Sequence, residues 1–436
     1  MQGFYPYCII KTETIKQVSD MKRNKIFTLM LIVVSMAMGF SSCIGNDDDY
    51  NNNQKPTIDP VTYADKDIYL NMSMTAYPFF SQVNSSVEKN KNFMISPLGM
   101  SEVLTMLVHG ANENTAAQIN KVMNTPWILP AHIMDAMKSL NDFLPKADSK
   151  TALAIANSQW IDEGYDVKND YIKNNIDKLD AETFTQLLST EATKNDINSW
   201  CARKTNGLIK AFLKSPLQQN TRMVLLNALY FKGQWKYQFD KKETADKTFH
   251  NIDGTTSDVK MMHQEGKLLC WSGEKMDVAE FPYGNETFCM DVILPHEGES
   301  IDNCLKGIDY VKMYDILHNM NFRNAYIDMP RMQLDYNRTL NADLIAMGMP
   351  DAFDIQKADF SGITDRKLFI SLFKQATSLT VNEEGTEAAS ITSSEMMDSS
   401  VPNISYFHFE MNRPFAFLIR ENQSGIILFM GKMVKF

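Results

Sequence analysis

Catalytic signatures are missing from this 436-residue chain. It has no GxSxG turn, no GxxxxGK[ST] loop and no GxGxxG turn, which removes the usual marks of a serine hydrolase, a nucleoside triphosphatase and a dinucleotide-binding enzyme. The seven histidines, at 109, 132, 250, 263, 296, 318 and 408, form no HExxH or comparable ligand spacing. Cysteine is scarce, and no two cysteines stand as CxxC, so neither a zinc ribbon nor a redox dithiol is indicated. Cys201, Cys270, Cys289 and Cys304 read as isolated buried thiols; Cys201 follows Trp200 inside a helix-like run without protease-type surroundings. No Lys/Arg-rich block occurs, and the net charge is −10, which argues against nucleic acid as the partner. Acidic pairs such as Asp240 with Asp246, or Glu383 with Glu384, are expected by chance among 53 acidic residues. A chain of this size with no catalytic constellation, no cofactor motif and no metal motif reads as a binder or inhibitor rather than an enzyme.

Long apolar runs are scarce too. The segment MKRNKIFTLMLIVVSMAMGFSSC, Met21 to Cys43, places three basic residues before an uncharged stretch from Ile26 to Phe40, then two small residues and a cysteine. That is the order of a secretory signal, and the stretch is short for a spanning helix, which needs about 20 residues. The Ser41-Ser42-Cys43 ending resembles a bacterial lipoprotein box, and the acid triplet Asp47 to Asp49 resembles the surface-export signal of Bacteroidetes lipoproteins. Cys43 is then the lipidation site and the anchor the only membrane contact. The polar run that follows cannot collapse and reads as a tether. The expected organisation is 1–43 as upstream extension plus signal, 44–60 as tether, and 61–436 as one domain, monomeric and outside the cell.

Within that domain no long Pro/Gly/Ser linker and no repeat period appears. Ser96 caps a helix that Pro97 starts, with Val103, Leu104, Leu107 and Val108 on one apolar face. A second helix is expected over Asn195–Leu213, broken or kinked near Gly207. Strand patterns follow in RMVLLNALYF (from Arg222), MDVAEF, FCMDVIL, AYIDM, LFISLF (from Leu368), ATSLTV, FAFLI and IILFM. Helices gather in the first half and strands in the second, which indicates an α+β fold with large, mainly antiparallel sheets.

One stretch breaks the composition. EEGTEAASITSS, Glu383 to Ser394, is almost wholly small or hydroxylated, in a chain with 25 Phe and 29 Met. Read as a strand, it places Thr386, Ala388, Ser390, Thr392, Ser394 and Met396 on one face, with no charge there until Asp398, while Glu387 and Glu395 fall on the other. An exposed loop accounts for the small residues but not for the sorted charges.

Taken together, several segments resemble the serpin family. NFMISPLGMSEVLTMLVHGANENTAAQI is similar to the family's NxxISPLSI…GA…T..QI block, INSWCARKTNGLIK to its INxWVxxxTxGxI helix, and LLNALYFKGQW to its NAxYFKGxW strand. VKMMHQEG, EFPYGNETFCMDVILP, ADFSGI, NEEGTEAAS and NRPFAFLI follow in the family's order, from about residue 66 to the end. The resemblance implies a serpin fold with an exposed reactive loop. Its hinge is Glu384, Gly385, Thr386, Glu387, Ala388, Ala389 and Ser390. The reactive bond lies between Ser399 and Ser400, fourteen residues on from Gly385, with Met396 and Met397 as alternatives because the loop is long.

The same resemblance implies that Ser96, Asn227, Trp235 and Gln375 belong to a sheet-opening region, Gln375 standing where many members have histidine. Ser96 as a plain helix cap and Trp235 as ordinary core remain open. The implied function is suicide inhibition. A serine protease of elastase-like or chymotrypsin-like specificity, or a papain-like cysteine protease, cleaves the loop and is trapped when the loop joins the central sheet. A small-residue face suits that step, since an unpaired buried charge costs several kcal/mol. About 14 residues at roughly 3.3 Å each span ~46 Å. Trypsin-like enzymes are poor candidates, because no Lys or Arg lies between Glu383 and Ser405. The alternative is a non-inhibitory serpin acting as a surface binding protein.

Overall fold

Ser96 sets the centre of the fold. Its backbone is extended and its Oγ accepts a hydrogen bond from Gly99 N at 2.9 Å, so the helix opens at Pro97 with one free amide satisfied. Every residue from Pro97 to Val108 is buried, so this helix is surrounded on all sides rather than lying on a surface. The computed structural model describes residues 63–385 and 406–436. The expectations for Cys43, for segments 1–43 and 44–60, and for Thr386 to Ser400 lie outside those residues.

The first half of the chain carries helices α1 (Tyr63–Ser86), α2 (Pro97–Val108), α3 (Glu113–Val122), α4 (Pro130–Phe143), α5 (Asn169–Leu179) and α6 (Glu191–Lys204), with strands β1 (Phe93–Ile95), β2 (Thr151–Asp162), β3 (Glu182–Gln186) and β4 (Met223–Gly233) among them. The second half is strand-rich. It contains β5 (Ala245–His250), β6 (Thr256–Ser272), β7 (Met276–Pro282), β8 (Phe288–Pro295), β9 (Asn321–Pro330), β10 (Met332–Thr339), β11 (Lys374–Val381), β12 (Phe407–Glu410), β13 (Phe415–Glu421) and β14 (Ile427–Met433). Short helices α7 (Ile301–Leu305), α8 (Tyr310–His318) and α9 (Asn341–Met347) interrupt them. The class is α+β.

Among the described residues the strands form three sheets. Nine strands make the largest, in the order β1-β14-β13-β8-β7-β6-β9-β12 with β5 added to β6; the others are β3-β2-β4 and β10-β11. All pairings are antiparallel except β2 with β3 and β9 with β12. One expectation fails, and another holds only in its break near Gly207. LFISLF (368–373) is not a strand: Asn341 takes Phe373 N and Ser371 O with its own amide, and Ile370 N turns to Ala352 O, so the backbone is satisfied without a ladder. The helix containing Trp200 and Cys201 ends at Lys204 and does not resume, because Asn206 and Gly207 both take positive φ, and Thr205 Oγ1 caps the turn by accepting from Ile209 N.

β4 has two buried faces. Val224, Leu226 and Ala228 pack with Trp160, Ile197 and Trp200, whereas Leu229 and Phe231 join the main core that also contains α2. β4 and β11 lie next to each other and run toward the same end of the molecule, yet no ladder joins them among the described residues. Two strands that are parallel to one another leave room for a third that would be antiparallel to both.

Candidate functional site

The gap between β4 and β11 is closed at its upper end by the turn that leaves β11. Asn382 and Gly385 bond each other in both directions, Asn382 N to Gly385 O at 2.9 Å and Gly385 N to Asn382 O at 3.1 Å. The turn is fixed to the chain just past β4. Trp235 N donates to Glu384 O at 3.0 Å, Phe239 N to Glu383 O at 2.9 Å, and Trp235 Nε1 to Asn382 O at 3.0 Å. The Trp235 ring is buried and stacks on Tyr283 at 4.4 Å.

Gly385 pairs with Gln234 as an antiparallel bridge, at φ +120°. A Cβ there would stand 2.2 Å from Gly233 O and 2.6 Å from Trp235 N, so only glycine passes.

Glu383 and Glu384 are no chance pair. Glu383 is 1% exposed; Arg331 reaches both its oxygens from Nε at 2.8 and 3.0 Å and one from Nη2 at 2.6 Å, and Thr244 Oγ1 also donates to it. Burial alone would raise the Glu383 pKa, but Arg331 and Thr244 outweigh it and hold the carboxyl below its ordinary value. Glu384 is paired with Lys241. The turn is thus held on one side by the chain after β4 and on the other by the cation between β9 and β10.

Lower down, α2 meets both edges of the gap. Gln375 of β11 accepts from Ser96 N and donates to Ser96 O, each at 2.8 Å. Asn227 of β4 donates to Asn157 Oδ1 at 3.0 Å, and Asn157 donates to Glu102 Oε2 at 2.9 Å and to Leu179 O at 3.0 Å. Gly99 lies between the two edges: a Cβ there would come within 2.7 Å of Asn227 Oδ1 and 3.3 Å of Gln375 Nε2. The amide of Gln375 supplies both a donor and an acceptor at this place.

Of the residues singled out in the sequence, Ser96, Asn227, Gln375, Trp235, Glu384 and Gly385 all border this one gap. Thr386, Glu387, Ala388, Ala389, Ser390, Met396, Met397, Ser399 and Ser400 lie outside the described residues. Sequence reasoning missed Glu383, Arg331, Asn157 and Glu102, whose importance rests on burial and on partners distant in the chain.

A family model described as "Serpin (serine protease inhibitor)" matches residues 71–436. The chain is a serpin. It is 33% identical over 354 residues to a human leukocyte elastase inhibitor, covering 78% of this chain and 92% of that one. A serpin-like protein of Methanosarcina mazei is 29% identical over 421 residues, covering 93% and 97%. The crystal structure of a thermophilic serpin, tengpin, in the native state superposes with a TM-score of 0.78 at 28% identity, over 88% of this chain and 96% of that one.

Glu102 gives this serpin a pH-sensitive element below the gap. It is fully buried, and burial pushes its carboxyl up to about 7 from an ordinary value near 4.5, against the opposing effects of the Asn157 and Asn141 amides. The folded state therefore holds a proton that the unfolded chain releases, so stability falls as pH rises from about 4.5 through about 7. A rise of that size corresponds to about 3 kcal/mol. Glu102→Gln is expected to flatten this part of the profile and to melt higher than the parent at pH 8, with little difference at pH 5. Parallel melting curves for the two proteins across pH 5 to 8 would remove Glu102 from this role.

Proposed function

We propose that this serpin is a single-use inhibitor of serine proteases with elastase-like or chymotrypsin-like specificity, with papain-like cysteine proteases as a second target class. The observation that carries the reading is the unpaired gap between β4 and β11, closed above by Gly385, from which a chain of small side chains continues. The protease nucleophile attacks the carbonyl carbon of Ser399. The bond to Ser400 breaks, the amine of Ser400 leaves with a proton, and Ser399 remains as an acyl-enzyme. The freed segment then enters the gap antiparallel to both strands and carries the protease with it, so that distortion of the captured active site blocks deacylation. Unlike an enzyme, the protein is consumed in the event.

Gln375 stands where many serpins have histidine. Its two hydrogen bonds to Ser96 make it a working member of the cluster and favour the inhibitory reading. The leader read at Met21 to Cys43 supports placement as an exported lipoprotein, tethered at the outer membrane with the loop facing outward.

Incubating the protein with an elastase-like protease is expected to give a complex that survives SDS, with loss of protease activity. On cells expressing the full chain, the complex should form with externally added protease, and Cys43→Ala should move it into the medium. Clean turnover of the loop by every protease tried defeats the inhibitory reading, and an inaccessible or unanchored parent defeats the placement.

A further inference from the structure

One stretch of the described surface is built from uncharged elements. Between Asp67 and Glu88 the sequence contains no Asp, Glu, Lys or Arg, so nearly the whole of α1 is without charge. A helix at a protein surface normally turns charged or polar side chains outward. Here the exposed positions from Ile68 to Phe80 are Leu70, Met74 and Pro78, a single stripe at helical spacing. The turn between α3 and α4 lies against that stripe: Asn124 Nδ2 donates to Asn71 Oδ1 at 3.1 Å and approaches the Met74 sulfur at 3.9 Å. From Val122 to Met134 this connection also lacks Asp, Glu, Lys and Arg. Ile128 N donates to Thr125 O at 3.1 Å, which puts Pro126 and Trp127 at the tip of the turn. Trp127 is 94% exposed and Leu129 is 64% exposed.

Apolar side chains gathered on one side mark an interaction surface. Three features favour a lipid bilayer as what they meet. Indole suits the membrane–water boundary, being apolar in body with one N–H for the headgroup region. The uncharged face meets no repulsion from headgroups of either sign. Most directly, α1 is the first described element, and Cys43 precedes Tyr63 by 20 positions. A chain of that length spans at most about 70 Å, and Leu70 lies about 10 Å along the helix from Tyr63. A domain held within such reach of a lipid surface needs little intrinsic affinity to settle on it. No helix among the described residues is long and apolar enough to cross a membrane, so this face would lie on the surface.

We propose that Leu70, Met74, Trp127 and Leu129 form a membrane-docking face that seats the domain on the bilayer holding its lipid anchor. The assignment rests on the lipoprotein placement proposed above and adds a second contact to the one at Cys43. Docking fixes the orientation of the domain as well as its distance from the membrane.

The test uses the chain as its host exports it, reconstituted in vesicles of equal parts phosphatidylcholine and phosphatidylglycerol with brominated acyl chains. Subtracting the emission of Trp127→Phe protein from that of the parent isolates one indole. It should be quenched by bromine and shielded from iodide, and Leu70→Ser with Met74→Ser should lower the docked-to-free ratio at least ~10-fold. Free access of iodide to Trp127 in the vesicles overturns the face, as does a ratio that the double variant leaves unchanged. Shielding from iodide without bromine quenching also overturns it and assigns the cover to protein: a second copy where shielding grows with surface density, the chain before Tyr63 where it does not. Mass spectrometry of Cys43 decides the anchor separately. An unacylated Cys43 defeats the placement alone, and titrating that protein with the same vesicles then decides the docking face by the same two quenchers.

Discussion

Thr386→Arg is expected to turn the protein from an inhibitor into a digested substrate. Continuing the Gly385–Gln234 pairing places residue 386 opposite Gly233, on the core-facing side, where even a Cβ on Gly233 would come within 2.7 Å of the Tyr283 ring and 3.0 Å of Phe231. On the proposed insertion, threonine would enter first, with a small side chain that can bond locally. Arginine must leave its guanidinium in water, and so stop the strand at its first step, or bury it without a partner at a cost of about 3 kcal/mol or more. A barrier raised by that amount slows insertion by more than ~100-fold, while deacylation by the protease is untouched. The partition then runs to hydrolysis. The measurement is the number of inhibitor molecules consumed per protease inactivated, together with the SDS-stable band: the band should vanish, and free cleaved protein should take its place. The cleaved parent should melt far above the intact parent, and the cleaved variant should show a much smaller gain. Undiminished complex formation by Thr386→Arg would exclude sheet insertion as the inhibitory step.

Glu383→Lys should have the opposite character, releasing the gap before any protease arrives. The wild-type carboxylate is almost wholly buried and is bound by Arg331 and Thr244. Lysine would set two cations against each other where the turn is held to the rest of the molecule. Arg331 is 43% exposed, which places the loss near the lower end for a broken buried pair, about 3 kcal/mol. The intact variant should melt about 4 °C lower and, on the proposed inhibitory reading, should lose activity on standing at 37 °C as its own uncleaved loop or that of a neighbour enters the sheet. Glu383→Gln, which keeps a hydrogen-bond acceptor, should fall between. Full activity after prolonged incubation of Glu383→Lys would show that the turn is held by its backbone bonds alone. The parent should also show an acid limb. The folded pKa of Glu383 lies below its ordinary value, so its contribution is complete above that ordinary value and is lost as pH falls through the folded one. Glu102 acts in the other direction, so the two carboxylates bound the stable range from opposite sides.

Local rules accounted for what is local. Ser96 followed by Pro97 announced a capped helix, and Gly385 announced a position where the chain must turn with positive φ. The gap itself left no mark, because β4 and β11 each have an ordinary strand pattern and only their missing mutual ladder distinguishes them. LFISLF reads as a strand on apolar content alone, and the side chain that satisfies its backbone, Asn341, lies outside it. Glu383 and Glu384 read as a chance acidic pair, since the residues that hold them, Arg331, Thr244 and Lys241, stand 52 to 143 positions away.

Trp235 has a consequence of another kind. Its indole donates to Asn382 at the top of the gap and stacks on Tyr283, while Trp160 and Trp200 belong to the separate cluster beneath α6. The proposed insertion would pull Asn382 away from that indole, so in a variant whose other four tryptophans are replaced by phenylalanine the emission of Trp235 would time the capture step without an attached dye.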